Sequence, residues 1–268
     1  MDTGGQDQPL RTPGGVPSVH RAVAVLGALV EAQRPLSLSE LSRSLGLPKS
    51  SAHGLCLTLA QHGYLRRVEQ AFSIGPAVMP LAHAFLRSTS IPAEFGRLWD
   101  EIDPPSTDTV VLSLLAGRDV LYVAARNGSR PLGLAFSEGM QLPAHLAASG
   151  KAMLAWKPER EVRDLYRNEQ LPKMTHAGPD GLEQLLADLR IVRESGYSVD
   201  DECVREGVVS FAAPVFDRTG AAVAGIGLCV HKKAASDFSP QGYPRRVVDL
   251  AGALTRRIGG TFPQSPAA

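Results

Sequence analysis

Apolar residues recur every three or four positions along "SVHRAVAVLGALVEAQ". Val19, Ala22, Val23, Leu26, Leu29 and Val30 make one stripe, so the spacing predicts a helix from Ser18 that Pro35 stops. In "SLSELSRSLG", Leu38, Leu41 and Leu45 form a buried face. Ser37 and Glu40 are spaced as a capping box, each side chain meeting the other's free backbone N–H, and Gly46 supplies the left-handed stop. "LGLPKSSAHGLCLTLAQHGYL" follows after a short break. Pro48 is expected at its first helical position, Ala52, Leu55, Cys56 and Leu59 face inward, and Gly63 ends it. Lys49, Ser50, Ser51, His53 and Gly54 fall mostly on the outward side near its start. "YLRRVEQAFSIG" then alternates as two short strands around Glu69–Gln70.

Beyond this unit, "PAVMPLAHAFLRSTSIPAEFGRLWDEIDPP" reads as one or two helices broken near Pro92, with Met79, Leu81, Ala82, Phe85 and Leu86 apolar on one side. The pattern then turns to strands. "DTVVLSLLAGRDVLYVAAR" is two β-rich runs joined by "AGRD", and "RPLGLAFSEG" is expected to add another strand. "AASGKAMLAW" and "EREVRDLYRN" read as helices. "GLEQLLADLRIVRESG" is the clearest helix, with Leu182, Leu185, Leu186, Leu189 and Val192 on a stripe and Gly196 as its stop. "GVVSFAAPVF", the turn "DRTG" and "AAVAGIGLCV" make a further hairpin, and a closing helix is expected from about Pro244 to Ile258. Helices mixed with antiparallel pairs make the fold class α+β.

Three short helices with a tight turn before the last, then a hairpin, are the parts of a winged helix-turn-helix. Such a last helix enters a major groove with its first residues at base edges. Lys, Ser and His suit phosphates and bases, and Arg66 and Arg67 on the hairpin suit the neighbouring backbone. The alternative is a helical protein–protein module with a solvated polar face.

Composition sharpens this only slightly. The chain has 268 residues, 44% hydrophobic and 21% charged, enough for two cores. Its formal charge is +1, but residues 1–90 carry +3 and the remainder −2, as fits a nucleic-acid-binding end joined to something else. Cys56, Cys203 and Cys229 are scattered, which points to a reduced cytosolic setting. "MDTGGQDQPLRTPGG" has no apolar core of a signal peptide, and no apolar run is long enough to span a membrane. The expected organisation is a disordered tail (1–15), a winged helix-turn-helix (16–78), a linker-helix region (79–103), a second domain (104–262) and a short tail (263–268).

The stretch "SVHRAVAVLGALVEAQRPLSLSELSRSLGLPKSSAHGLCLTLAQHGYL", continued by "FSIGP", resembles the IclR family of bacterial transcriptional regulators. A second match lies downstream in "EGMQLPAHLAASGKAMLA" and "SGYSVDDECVREGVVSFAAPVFDRTGAAVAGIGL". Together they cover roughly residues 17 to 260 in the expected order. The resemblance implies binding to a roughly palindromic double-stranded operator, a homodimer or dimer of dimers assembled partly through the linker helices, and a GAF-like domain sensing a small organic acid. Two departures stand out. The family usually has arginine where Gly54 stands, and a positive charge is common where Ser73 stands. Losing both should weaken and flatten the salt-dependent attraction to phosphate. A scaffold or co-regulator with a degenerate head is therefore the rival reading.

Carried over residue by residue, the resemblance places Leu142, Ala144, Ala148, Ser149 and Gly150 on one wall of an effector pocket and Val208, Ser210 and Ala212 on the other. Gly227 and Cys229 lie behind, and Asp200 at the rim. Many relatives have cysteine at the Ser210 position and serines at the Gly227 and Cys229 positions. Gly227 is expected to enlarge the space, and a larger, partly apolar acid to fill it. Gly150 is expected to allow close backbone approach to a ligand or the sheet. Arg126 and Arg130 are candidates to pair a carboxylate. "HLAASGKA" fails as a phosphate loop, having His145 for the first glycine and Ala152 after the lysine. Ser149, Ser210, Cys229, His145, His231 and Asp200 are of catalytic type, but no G-x-S-x-G elbow or compact metal spacing accompanies them. No enzyme activity, cofactor or metal is expected.

Overall fold

The computed structural model of the protein describes residues 15–87, 89–102, 108–127, 136–167, 170–233 and 242–263. The chain divides between Ser88 and Thr89 into two units.

The first unit contains α1 (Pro17–Ala32), β1 (Leu36–Ser37), α2 (Leu38–Ser44), α3 (Lys49–Gln61), β2 (Leu65–Val68), β3 (Ala71–Ile74) and α4 (Val78–Arg87). Helix α1 is apolar over a wider arc than its core needs. Val25 and Leu29 face inward, while Val19, Val23 and Val30, placed on the expected stripe, are about 60% exposed. At 3.6 residues per turn, Val25 lies well round the helix from Val19 and Val23, so the stripe holds a buried and an exposed face. The capping box of α2 forms as expected: Ser37 N donates to Glu40 Oε2 at 2.8 Å and Glu40 N to Ser37 Oγ at 3.3 Å. Gly46 follows with φ +61°, a conformation that favours glycine. Pro48 caps α3 from outside (ψ 140°) instead of occupying its first turn, because extended backbone there lets Lys49 open the helix. The wing is a three-stranded antiparallel sheet ordered β1-β3-β2, whose two-residue strand β1 is too short to signal itself. Val25, Leu29, Leu36, Leu41, Cys56, Leu65 and Phe72 form the core.

The second unit starts with α5 (Ile91–Ile102), whose first turn contains Pro92, so the helix break lies just before that proline. There follow β4 (Thr109–Ala116), β5 (Asp119–Arg126), β6 (Gln141–Pro143), α6 (Ala148–Leu154), α7 (Glu159–Leu165), α8 (Leu182–Ser195), β7 (Ser198–Asp201), β8 (Val208–Phe216), β9 (Ala222–His231) and α9 (Tyr243–Arg257). The strands form one antiparallel sheet ordered β6-β5-β4-β9-β8-β7. Of the strand expected in "RPLGLAFSEG", residues 130–135 lie outside the described residues and 136–139 are loop and turn. All nine residues of β8 are buried, because α6 packs on one face and α9 on the other. Phe211 stacks on Tyr243 of α9 at 5.5 Å, while Ala212 packs with Ala148 and Ala152 of α6. Among the described residues no helix is long and apolar enough to cross a membrane.

Candidate functional site

In the first unit, α3 is split by polarity. Ala52 and Cys56 are fully buried against α1 and α2, while Lys49, Ser50, His53 and Gly54 are exposed and Ser51 is half-buried. The helix is thus anchored by one edge and shows its first turns to solvent. A Cβ on Gly54 would meet nothing within 4 Å, so no packing inside the chain requires glycine there. Thr58 Oγ1 donates to Gly54 O at 3.0 Å, an interaction any residue at 54 would keep.

The wing presents Arg66 and Arg67, both exposed. Arg67 Nε donates to Glu69 O at 3.2 Å and so leans along the turn, where Glu69 has φ +53°. Arg66 has no side-chain partner among the described residues and stands directly across from Ser73.

The second unit holds an enclosed cavity between α6 and the sheet. Ala148 and Ser149 line it from the first turn of α6, Val208 and Ser210 from β8, Gly227 and Cys229 from β9, and Asp200 from β7. The space among its lining atoms, open solvent included, is about 330 Å³, of which no more than about one water-sized sphere is free. Ser210 Oγ donates to Cys229 Sγ at 3.4 Å across the β8–β9 register. Asp200 is buried rather than at the rim, because it lies on β7, paired with Ser210 of β8. Its Oδ1 accepts from Cys203 N at 2.7 Å and Val204 N at 3.3 Å, which ties down the loop after β7.

Four expected wall residues lie elsewhere. Leu142 packs in the main core on β6, and Ala212 is sealed under α6. Ala144 lies beneath Gly150: a Cβ at 150 would collide with the Ala144 backbone, so Gly150 serves the approach of α6 to the preceding loop, not to a ligand or the sheet. Gly227 lines the cavity, and Val111, its cross-strand partner, crowds the space beside it, with Cγ2 at 3.0 Å from where a Cβ would be. Arg126 lies outside the cavity lining and donates to Ala125 O at 3.2 Å, while Arg130 is outside the described residues.

Sequence reading missed five lining residues: Val111, Tyr122, Phe136, Val204 and Arg205. Val111 follows from the β4–β9 register once it is known. Val204 and Arg205 sit in a loop with no periodicity to flag them. Gly225 was also missed. A Cβ there would lie 2.9 Å from Ser149 O, so this glycine lets the first turn of α6 settle on β9.

Electrostatics sorts the polar groups. Burial raises the Asp200 carboxyl to about 6, opposed by the Lys151 ammonium and two backbone N–H donors. Burial pushes the Cys229 thiol up to about 12, so it stays protonated and is a poor nucleophile. Lys151 is buried on α6, its Nζ donating to Val199 O at 2.5 Å. No histidine lines the cavity. His145 lies in a separate cleft, its Nε2 at 2.9 Å from Pro172 O, and burial lowers its pKa. His231 is exposed at the end of β9. The catalytic-type residues are therefore not assembled as a nucleophile and base. Among the described residues no group of three His, Cys, Asp or Glu could hold a metal ion.

Comparison with known proteins bears on both sites. The family model described as IclR helix-turn-helix domain matches residues 18–69. That described as bacterial transcriptional regulator IclR C-terminal matches residues 83–256. The chain is 30% identical to the glycerol operon regulatory protein of Streptomyces coelicolor, over 91% of this chain and 97% of that one. It is 28% identical to the HTH-type transcriptional regulator XynR of Escherichia coli, over 91% and 98%. Among solved structures, the repressor BlcR of Agobacterium tumefaciens is 34% identical over 92% of this chain and 98% of its own, with TM-score 0.60.

Proposed function

The chain belongs to the IclR family of bacterial transcriptional regulators, and on that premise we propose how its two units divide the work. The first unit binds double-stranded DNA. Lys49, Ser50, Ser51, His53 and Gly54 enter the major groove, and Arg66 and Arg67 follow the adjacent phosphates. The second, a GAF-like domain, holds a small organic acid in the cavity lined by Ala148, Ser149, Asp200, Val208, Ser210, Gly227 and Cys229. The observation that carries the reading is the polarity of α3: its apolar edge is buried while the polar residues of its first turns stand in solvent.

The exposed apolar residues of the first unit support the reading of a homodimer or dimer of dimers. Val19, Val23 and Val30 on α1 and Met79 and Leu81 on α4 are each more than half exposed, surface that a second copy would cover. Two reading helices related by a two-fold axis favour a roughly palindromic operator. Because the cavity is nearly closed, an acid must part its lining to enter. It then shifts DNA affinity only to the extent that it prefers one arrangement of the dimer, and a coupling of about 1–3 kcal/mol corresponds to about 5- to 150-fold.

The test is a thermal-shift screen of the full chain against organic acids, followed by a gel shift on DNA flanking its own gene with and without the best stabiliser. An acid that raises Tm and changes the shift supports the proposal. A protein that binds acids but never shifts DNA would favour the scaffold reading.

A further inference from the structure

The cavity contains two polar groups left without partners. Arg205 Nη1 and Ser149 Oγ are both buried, and neither makes a hydrogen bond. Arg205 forms no ion pair among the described residues, although Asp200 lines the same cavity. Arg205 as a whole is half-buried, but its Nη1 and the Ser149 hydroxyl are shut off from water without a hydrogen bond, which is costly for each. Both groups can donate a proton to an acceptor, and they reach the cavity from different elements: Ser149 from α6, Arg205 from the loop between β7 and β8.

That loop is held firmly. Its start is fixed by Asp200, as above. Glu202 N donates to Val208 O at 3.1 Å, Gly207 N to Glu202 Oε1 at 2.7 Å, and Lys232 Nζ pairs with Asp201 at 2.7 Å and Glu202 at 2.6 Å. Arg205 is therefore carried over the cavity on a pinned hairpin. The same cavity is lined by Tyr122 and Phe136, whose rings are 5.9 Å apart, together with Val111 and Val208.

We propose that Arg205 is the charge anchor of the effector site, holding the carboxylate of a monocarboxylic acid with help from the Ser149 hydroxyl while the acid's apolar body packs against Tyr122 and Phe136. This rests on the reading of the cavity as an organic-acid site and names the residue and ligand class that define it.

The experiment compares benzoate with benzamide, and hexanoate with hexanamide, by calorimetry on the full chain and on the Arg205→Gln and Ser149→Ala variants. In the wild type each acid should bind at least tenfold more tightly than its amide. Arg205→Gln should abolish that preference, and Ser149→Ala should reduce it by a smaller factor. Without ligand, Arg205→Gln should leave Tm unchanged or higher, because it removes a buried donor that has no partner. A marked fall in Tm would make Arg205 structural and overturn the proposal. If the acids bind Arg205→Gln as well as the wild type, this inference alone fails. If neither acid binds the wild type, the reading of the cavity as an organic-acid site fails with it.

Discussion

Val111 on β4 and Gly227 on β9 are cross-strand partners, and the valine Cγ2 lies 3.0 Å from where a Cβ at 227 would stand. Gly227→Ala should therefore cost about 1–2 kcal/mol through overpacking. Combined with Val111→Ala, it should cost less than the sum of the single changes, with a coupling of about 1 kcal/mol in a denaturant-melt double-mutant cycle. Additive costs would show that the two do not compete for the same volume.

Gly150→Ala should be more damaging than Gly227→Ala. Its new methyl meets the backbone of Ala144, which cannot rotate away as a side chain can. A loss of about 3 kcal/mol or more is expected by chemical denaturation. A loss below about 1 kcal/mol would mean that α6 can lift from the loop before it.

Asp200 should make stability depend on pH. Its carboxyl lies near 6 in the folded chain, against 3.8 ordinarily, because burial disfavours the charge. The groups acting on it or coupled to it are Lys151 of α6, Tyr122 of β5, Cys229 of β9 and Cys203 of the following loop. The folded state thus binds more protons than the unfolded state between these values, and Asp200's contribution falls as pH rises from about 4 to 6. Asp200→Asn keeps an acceptor for the Cys203 and Val204 N–H groups. It should stabilise the chain by about 2–3 kcal/mol at pH 7 and by almost nothing at pH 4. A gain independent of pH would show that the carboxylate is not the destabilising form.

On the wing, Ser73 faces Arg66, and Gly54 points into open space. Position 54 has room for a long cationic side chain, whereas an arginine at 73 would stand across from Arg66 and cost some stability through like charge. Gly54→Arg and Ser73→Arg should each tighten DNA binding at low salt and steepen the slope of log K against log salt by about one per added contact. Gly54→Arg should also stabilise α3 by up to about 1 kcal/mol, as interior glycine is a poor helix former. An unchanged slope would place that position outside the DNA interface.

The helical head was legible because its signals are local. The capping box at Ser37 and Glu40, the stop at Gly46 and the hairpin around Glu69–Gln70 each occupy a few adjacent residues. The hairpins β4–β5 and β8–β9 were readable for the same reason. Strands β6 and β7 were not, being short and defined only by the neighbours they pair with. The cavity was half legible. Ser149, Asp200, Ser210 and Cys229 came from the resemblance, whereas the close approach of Val111 to Gly227 depends on the β4–β9 register, which no local pattern encodes. Arg205 was missed because a loop arginine between glutamate and cysteine-valine neighbours looks like a solvated charge until its buried, unpaired nitrogen is seen.

The most direct measurement is the salt dependence of binding to DNA flanking the chain's own gene, by fluorescence anisotropy, for the wild type, Lys49→Ala and Arg66→Ala. A linear fall of log K with log salt is expected for the wild type, with each alanine variant shallower by about one per lost phosphate contact. Binding with no salt dependence, or variants indistinguishable from the wild type, would contradict the assignment of α3 and the wing to DNA.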